Sequence, residues 1–339
     1  MKQIHLSLFK WVIVIAILLV VTLAVFLGAW SYRGGFLSGA ERITIGAMAD
    51  MSTTLLSIAS EGNFFRNNGL DVTIKTYELG LTAGDDLLKG ELDLACMTEF
   101  LIAGMALQRK AVSIIASHDK AQNMYLVVRK DRGVATIADL KGKRVALARG
   151  AIGGFFLARS IERQGGNMGD LTLVDLPPSK AAEAFLTGKV DAVIVLHFVL
   201  EQIRQQMKNE IVIWPMQMDQ PIYYVIAGKN DWLARHPELV KRLLNSLVQA
   251  EDYLLHHPGE AKAIVQKRLK VDDSFIAAAW PQHQFSITLD YALIAAMNDE
   301  ARWMIRNNLT KDKEPPNFLD YISEAGLRAV KPGAVNIVR

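Results

Sequence analysis

Apolar and polar residues fall into two alternating periods along this chain, and the order of those periods occurs twice. The first copy opens with the strand-like run Ile43-Thr44-Ile45-Gly46-Ala47, followed by a helical stripe over 55–65. A second strand over 69–74, a second helix ending at Gly90 and the short run Leu92-Asp93-Leu94-Ala95 complete it. The second copy has a strand over 144–148, a helix over 155–163, a strand over 171–174, a helix ending at Gly188 and a strand over 190–193. Ala47 to Ala148 and Leu70 to Leu171 are both offsets of 101, and Gly90 to Gly188 and Asp93 to Asp191 both offsets of 98. Two β-α-β-α-β units at one spacing predict two similar α/β lobes with a cleft between them.

Each copy closes its second helix in the same way. Leu87-Leu88-Lys89-Gly90 and Phe185-Leu186-Thr187-Gly188 read as a last helical turn with glycine in the left-handed position beyond it. Asp93 and Asp191 then lead into apolar runs without polar alternation, as in parallel strands covered on both faces. Turn chemistry rather than ligand contact accounts for both aspartates. The run over 123–129 is expected to leave lobe 1 for lobe 2, and the run over 221–227 to return. This makes lobe 1 discontinuous (41–125 and 223–339), with lobe 2 over 126–222 and a two-strand hinge that permits closure. From Asp231 onward the stripes are helical, and His236-Pro237 and His257-Pro258 mark helix starts. His256 and His257 do not share a helix face, so they do not read as metal ligands.

The N-terminus changes the picture. Residues 11–30 run for 20 positions without a charge, about 30 Å as a helix, enough to cross a bilayer. Lys2 and Lys10 precede the run, which places the N-terminus inside and the body outside the cytoplasm. Residues 1–30 are expected to be a membrane anchor, with 31–40 as a tether. The alternative is a signal segment cleaved after Ala40, but the apolar stretch is longer than such segments have. Composition adds exclusions. The net charge of +3 comes from scattered Lys and Arg rather than a basic stripe, so no nucleic-acid partner is expected. Cys96 is the single cysteine, so no intrachain disulfide can form, and at the end of a buried strand it reads as a small hydrophobe.

Several segments carry a family resemblance. Asp139-Leu140-Lys141-Gly142-Lys143-Arg144-Val145-Ala146 resembles the ADLKGKKVAV segment of periplasmic substrate-binding proteins. Residues 176–192, Glu61-Gly62-Asn63-Phe64-Phe65 with Gly69-Leu70-Asp71-Val72, and the helix opening at His236-Pro237-Glu238-Leu239 are similar to the nitrate/sulfonate/taurine branch of ABC-transporter binding proteins. The resemblance extends from about Ile43 to about Asp320. It implies a type II periplasmic-binding-protein fold, preceded here by one transmembrane helix, that closes on a small anion or amphipathic solute. The chain departs from that branch in its loops. Leu196-His197-Phe198-Val199 stands where the family often has Trp-Asp/Glu-Pro, and Arg149-Gly150-Ala151-Ile152 where it often has Gly-Ser-Ser.

In open α/β sheets a ligand lies beyond the carboxyl ends of strands, against helix N-termini. That rule selects the loops 48–54, 79–83, 97–100, 149–155, 177–180 and 197–198. Ser52, Thr53 and Thr54 either cap the first helix or offer hydroxyls to a solute. Gly80 and Thr82 open the second helix, where free N–H groups favour an anion. Arg149, with Gly150 and Ala151 beside it, suits capture of a carboxylate or sulfonate, or else is a solvated charge. Thr98 offers a hydroxyl from the third loop of lobe 1, and the acids Asp50 and Glu99 face Arg149 and His197 across the cleft, an arrangement that selects an amine-bearing or zwitterionic solute or latches the closed form. His197 also reads as a core histidine. Phe155, Phe156 and Phe198 read as packing.

These observations favour a non-catalytic receptor that delivers a small organic anion, sulfonate-like or zwitterionic solute to ABC permease subunits, tethered to the inner membrane. A membrane-anchored sensor is the alternative. A pyrimidine-precursor-synthase-like enzyme is a third reading, but relatives of that kind carry clustered cysteines and this chain has one. No cofactor or metal is implied.

Overall fold

The computed structural model describes residues 39–217 and 220–337. The expected membrane-spanning run lies outside the described residues, as does most of the tether. Among the described residues no helix is long and apolar enough to cross a membrane.

Both predicted repeats form. In the first, β1 (Glu41–Met48), α1 (Thr54–Glu61), α2 (Phe64–Asn67), β2 (Leu70–Tyr77), α3 (Gly80–Lys89), β3 (Leu94–Thr98) and α4 (Glu99–Leu107) follow in order. In the second, β6 (Arg144–Leu147), α5 (Gly153–Glu162), β7 (Thr172–Asp175), α6 (Pro178–Leu186), β8 (Ala192–Leu196) and α7 (His197–Met207) repeat them. Gly90 at φ 85° and Gly188 at φ 71° take the left-handed conformation after α3 and α6. Asp93 and Asp191 act as equivalent staples. The Asp93 carboxylate accepts from the Thr44 N–H at 2.7 Å, and that of Asp191 from the Arg144 N–H at 2.8 Å. Each ties the entry of its repeat's third strand to the start of the first, which is the structural role expected of them.

Four more strands complete the sheets: β4 (Val112–Ala121), β5 (Met124–Arg129), β9 (Ile211–Pro215) and β10 (Ile222–Lys229), with β11 (His283–Thr288) at one edge. The strand orders are β11-β4-β10-β3-β1-β2 and β7-β6-β8-β5-β9. In both, the third strand of the repeat pairs with an antiparallel strand from the crossing region, β10 in one sheet and β5 in the other. The two-strand hinge is therefore corrected. β5 and β10 each lie wholly within one sheet, and the chain crosses at 122–123 and again between β9 and β10. Fully apolar runs look alike in sequence whether they cross between sheets or sit at the centre of one.

Gln217 bridges the two crossings, donating from Nε2 to the Ala121 carbonyl at 2.8 Å and accepting the Met124 N–H at 2.9 Å through Oε1. The remaining helices, α8 (Asn230–Arg235), α9 (Pro237–His256), α10 (Pro258–Leu269), α11 (Asp273–Ala279), α12 (Tyr291–Arg306) and α13 (Ala325–Val330), belong to the C-terminal part. α9 and α10 begin at the prolines that marked them. β11 was expected as helix; its alternation of buried Phe285 and Ile287 is too short to stand out between helical stripes.

Candidate functional site

The carboxyl ends of β1, β2 and β3 and the amino end of β10 face, across a cleft, the carboxyl ends of β6, β7 and β8 and the amino end of β5. This follows from the parallel pairing of each repeat and the antiparallel partner that each has acquired. The cleft has a volume of ≈ 370 Å³, within the range of small-molecule sites. Its walls are aliphatic and aromatic, with Leu79, Leu81 and Leu101 on one side and Ile152, Ile194 and Phe198 on the other. Helices α3, α5, α6 and α7 all begin at its rim, so their unpaired N–H groups supply partial positive charge there.

The polar lining is sparse and one-sided. Among the described residues Asp50 and Glu78 are the acids that line it, and no Lys, Arg or His does. Asp50 caps the turn Met51–Thr53, its Oδ1 accepting the Ser52 N–H at 3.0 Å and the Ser52 hydroxyl at 2.5 Å. Burial pushes its carboxyl above the ordinary range, against the pull of the Ser52 bonds and of nearby His283. Glu78 reaches across the mouth and accepts the Ser179 N–H at 2.6 Å. That bond places a carboxylate at the N-terminus of α6, where the helix dipole favours it.

Of the residues selected from sequence, Asp50, Gly80, Thr98 and Ala151 line the cleft. The others lie elsewhere. The hydroxyls of Thr53 and Thr54 are spent on the carbonyls of Asp50 and Met51, at 2.9 and 2.8 Å. With the Ser52 hydroxyl donating to Asp50, all three are spent within their own turn, and the capping side chain is Asp50. Thr82 is exposed on α3. Gly150 holds a left-handed turn at φ 78°. Arg149 points outward, its side chain 75% exposed and its Nε 3.5 Å from Asp175 Oδ2. Its N–H also binds Asp175, at 2.9 Å. Glu99 is fully buried against Glu300 of α12. Burial raises the Glu99 carboxyl to about 8, despite the N–H groups of Tyr223, Glu99 and Phe100 that draw it down.

His197 is buried between the lobes rather than open to the cleft. Its Nδ1 lies 3.1 Å from Gln282 Nε2, and its ring packs on Tyr125 and Phe275. Burial lowers its pKa, partly countered by Glu201. Phe155 likewise packs across lobes, on Phe100 and Trp303. Cys96 is buried, and desolvation pushes its thiol up to about 12.

Sequence reasoning missed a buried polar layer near Asp50. Asp119 Oδ2 meets His283 Nδ1 at 2.6 Å, with both side chains essentially inaccessible. His118 is fully buried, which lowers its pKa to about 4. The Tyr224 hydroxyl lies 3.4 Å from Asn123 Nδ2. His118 and Asp119 sit on β4, a strand the repeat does not contain, and His283 begins β11, so no repeat spacing linked them.

Comparison with known proteins places this geometry in context. The NMT1/THI5-like family profile matches residues 51–261. A Brucella abortus (strain 2308) protein named only as a binding protein is 24% identical over 237 residues, 68% of this chain and 72% of its own length. Among solved structures, the periplasmic aliphatic sulphonate binding protein SsuA of Escherichia coli superposes with a TM-score of 0.69 at 16% identity, covering 83% of this chain and 97% of its own. The desulfurization enzyme DszB superposes at 0.64 with 15% identity, over 86% of this chain and 99% of its own. The chain thus has the two-lobed type II periplasmic-binding-protein fold.

Proposed function

We propose that this chain, which belongs to the NMT1/THI5-like family, is an extracytoplasmic solute-binding protein of an ABC importer. It holds a small sulfonate-like or zwitterionic organic solute between its lobes and hands it to permease subunits. The observation that carries this reading is the aliphatic cleft between two sheets joined by two short crossings, with helix N-termini at its rim. A ligand enclosed there touches both lobes and so favours the closed form, the form a permease can recognise. The likeness to the Escherichia coli aliphatic sulphonate binding protein supports the solute class. The charge-free run over 11–30 supports a body held at the outer face of the inner membrane by an uncleaved helix.

An enzymatic role is disfavoured by chemistry. DszB shows that the fold can carry catalysis, but the single thiol here is buried and held protonated. A nucleophile needs an accessible, activated group. The test is a thermal-shift screen of the full-length protein in detergent against alkanesulfonates, amino-sulfonates, aromatic carboxylates and primary amines, with mass spectrometry of the recovered ligand. Saturating ligand at about 100 times Kd adds about 2.7 kcal/mol of stability. Stabilisation by at least one class with the ligand recovered unchanged is the expected result. Chemical conversion of the ligand, or silence across the panel, refutes a transport receptor for these solutes.

A further inference from the structure

The polar groups of the cleft are distributed in a way that specifies the ligand further. The acids among its described lining residues are Asp50 and Glu78, and among the described residues no cationic side chain lines it to neutralise an anionic solute. Arg149, which the loop position selected for that task, is turned outward to Asp175. Glu78 is already engaged by the Ser179 N–H across the mouth. Asp50 is different. Both of its described hydrogen bonds come from Ser52 and fall on Oδ1, so the cap fixes the carboxylate while Oδ2 receives neither. A half-buried carboxylate against aliphatic walls is costly unless a positive charge or strong donor meets it.

We propose that the cleft selects its solute through an amine: a protonated amino group docks on Asp50, while the apolar body lies between Leu79, Leu101, Ile194 and Phe198. Any acidic group at the far end of the solute is met by the helix N-termini at the rim rather than by a side chain. The inference rests on the reading of the cleft as a solute site, and narrows it to amine-bearing solutes, amino-sulfonates included and simple alkanesulfonates excluded. Asp50 is the specificity-determining residue. Thr98 and Tyr224 lie beside each other across the β3–β10 ladder and also line the cleft, which puts two hydroxyl-bearing side chains in the same lining as Asp50. Burial raises the carboxyl of Asp50 even with His283 nearby, a penalty that a docked ammonium offsets.

The experiment measures binding of matched pairs to the full-length protein by calorimetry, each pair sharing a skeleton with and without the amine. Taurine is paired with ethanesulfonate, and 6-aminohexanesulfonate with hexanesulfonate; hexylamine is titrated alongside. The amine-bearing member is expected to bind about tenfold tighter or better, the scale of one hydrogen bond to a charged group. Asp50→Asn keeps the Oδ1 acceptor for Ser52 and therefore the cap, and is expected to erase the preference. Equal binding of both members, or an amine preference that survives Asp50→Asn, overturns the amine assignment while leaving the receptor reading intact. Absence of binding by every probe overturns both. The pair comparison in the unaltered protein stands by itself, so poor folding of the variant does not shield the proposal.

Discussion

At the scale of single residues, charge alone did not mark function in this chain; the partner did. Arg149 and Asp93 are both charged residues at strand ends, yet one is solvated and the other holds a backbone N–H at 2.7 Å. Asp93→Ala is expected to cost about 2 kcal/mol in urea denaturation, the scale of a hydrogen bond to a charged acceptor. Arg149→Ala is expected to leave the midpoint unchanged, since exposed pairs contribute little. The buried Glu99–Glu300 pair sets a pH dependence. Burial raises both carboxyls, Glu99 from 4.5 to about 8, and the neighbouring Glu99 makes Glu300 harder still to ionise. The folded chain therefore retains protons that the unfolded chain has released, so this contribution to stability is full below pH 4.5 and is lost as pH rises through about 8. His118 acts in the opposite sense, because its pKa falls from 6.5 to about 4 and its contribution grows as pH rises through that interval. Glu99→Gln leaves the His118 contribution in place. Urea midpoints across this range should flatten in the variant relative to the parent, by at most about 1.4 kcal/mol per pH unit for one proton. An unchanged slope would show that the pair does not titrate in this range.

Elements explain what was legible and what was not. The duplicated units could be read because a glycine in the left-handed position is a backbone requirement with few substitutes. Gly188→Ala tests this directly. Its φ of 71° penalises any Cβ, and the added atom would sit 3.0 Å from Arg132 Nη2. A loss of roughly 1–2 kcal/mol is expected, whereas Gly154, which has open space around it, should accept alanine inside its helix at no cost. The loops that form the cleft were equally legible, since the ends of parallel strands follow from the order of elements, and each of the six selected loops supplies a lining residue. Which side chain in a loop turns inward was not legible. Ser52, Thr53 and Thr54 have the composition of a binding loop, but all three hydroxyls donate within their own turn, to Asp50 and Met51. The crossings were hidden for a different reason: β5 and β10 are buried from end to end apart from a few half-exposed positions, and continuous apolarity carries no information about which sheet a strand joins. Gln217 shows how the crossings are held where the ladders stop. Gln217→Ala orphans the buried Met124 N–H and removes one donor from the Ala121 carbonyl, and a loss of about 2 kcal/mol is expected.

For the whole molecule, the question is what holds the lobes together without a ligand. Contacts between them lie on two sides of the cleft. On one, Phe155 of α5 packs edge-on to Trp303 at 5.6 Å between ring centres, and Arg159 pairs with Asp299. On the other, Gln282 accepts the Tyr125 hydroxyl at 2.9 Å, lies against His197, and through its carbonyl receives the Gln122 N–H. The aromatic side is bulk packing, and Phe155→Ala would cost several kcal/mol of global stability along with any effect on closure. Gln282 is the cleaner probe, because its side chain joins the lobes by polar contacts and does not line the cleft. A ligand that binds the closed form loses affinity in proportion to the fraction of molecules that remain closed. Gln282→Ala is therefore expected to raise the radius of gyration of the unliganded chain in small-angle scattering and to weaken every bound solute by one common factor. Asp50→Asn, by contrast, should weaken only those that carry an amine. If Gln282→Ala instead altered the preference among solutes while leaving the scattering unchanged, Gln282 would be acting on ligand recognition, and the polar side of the interface would not be a latch.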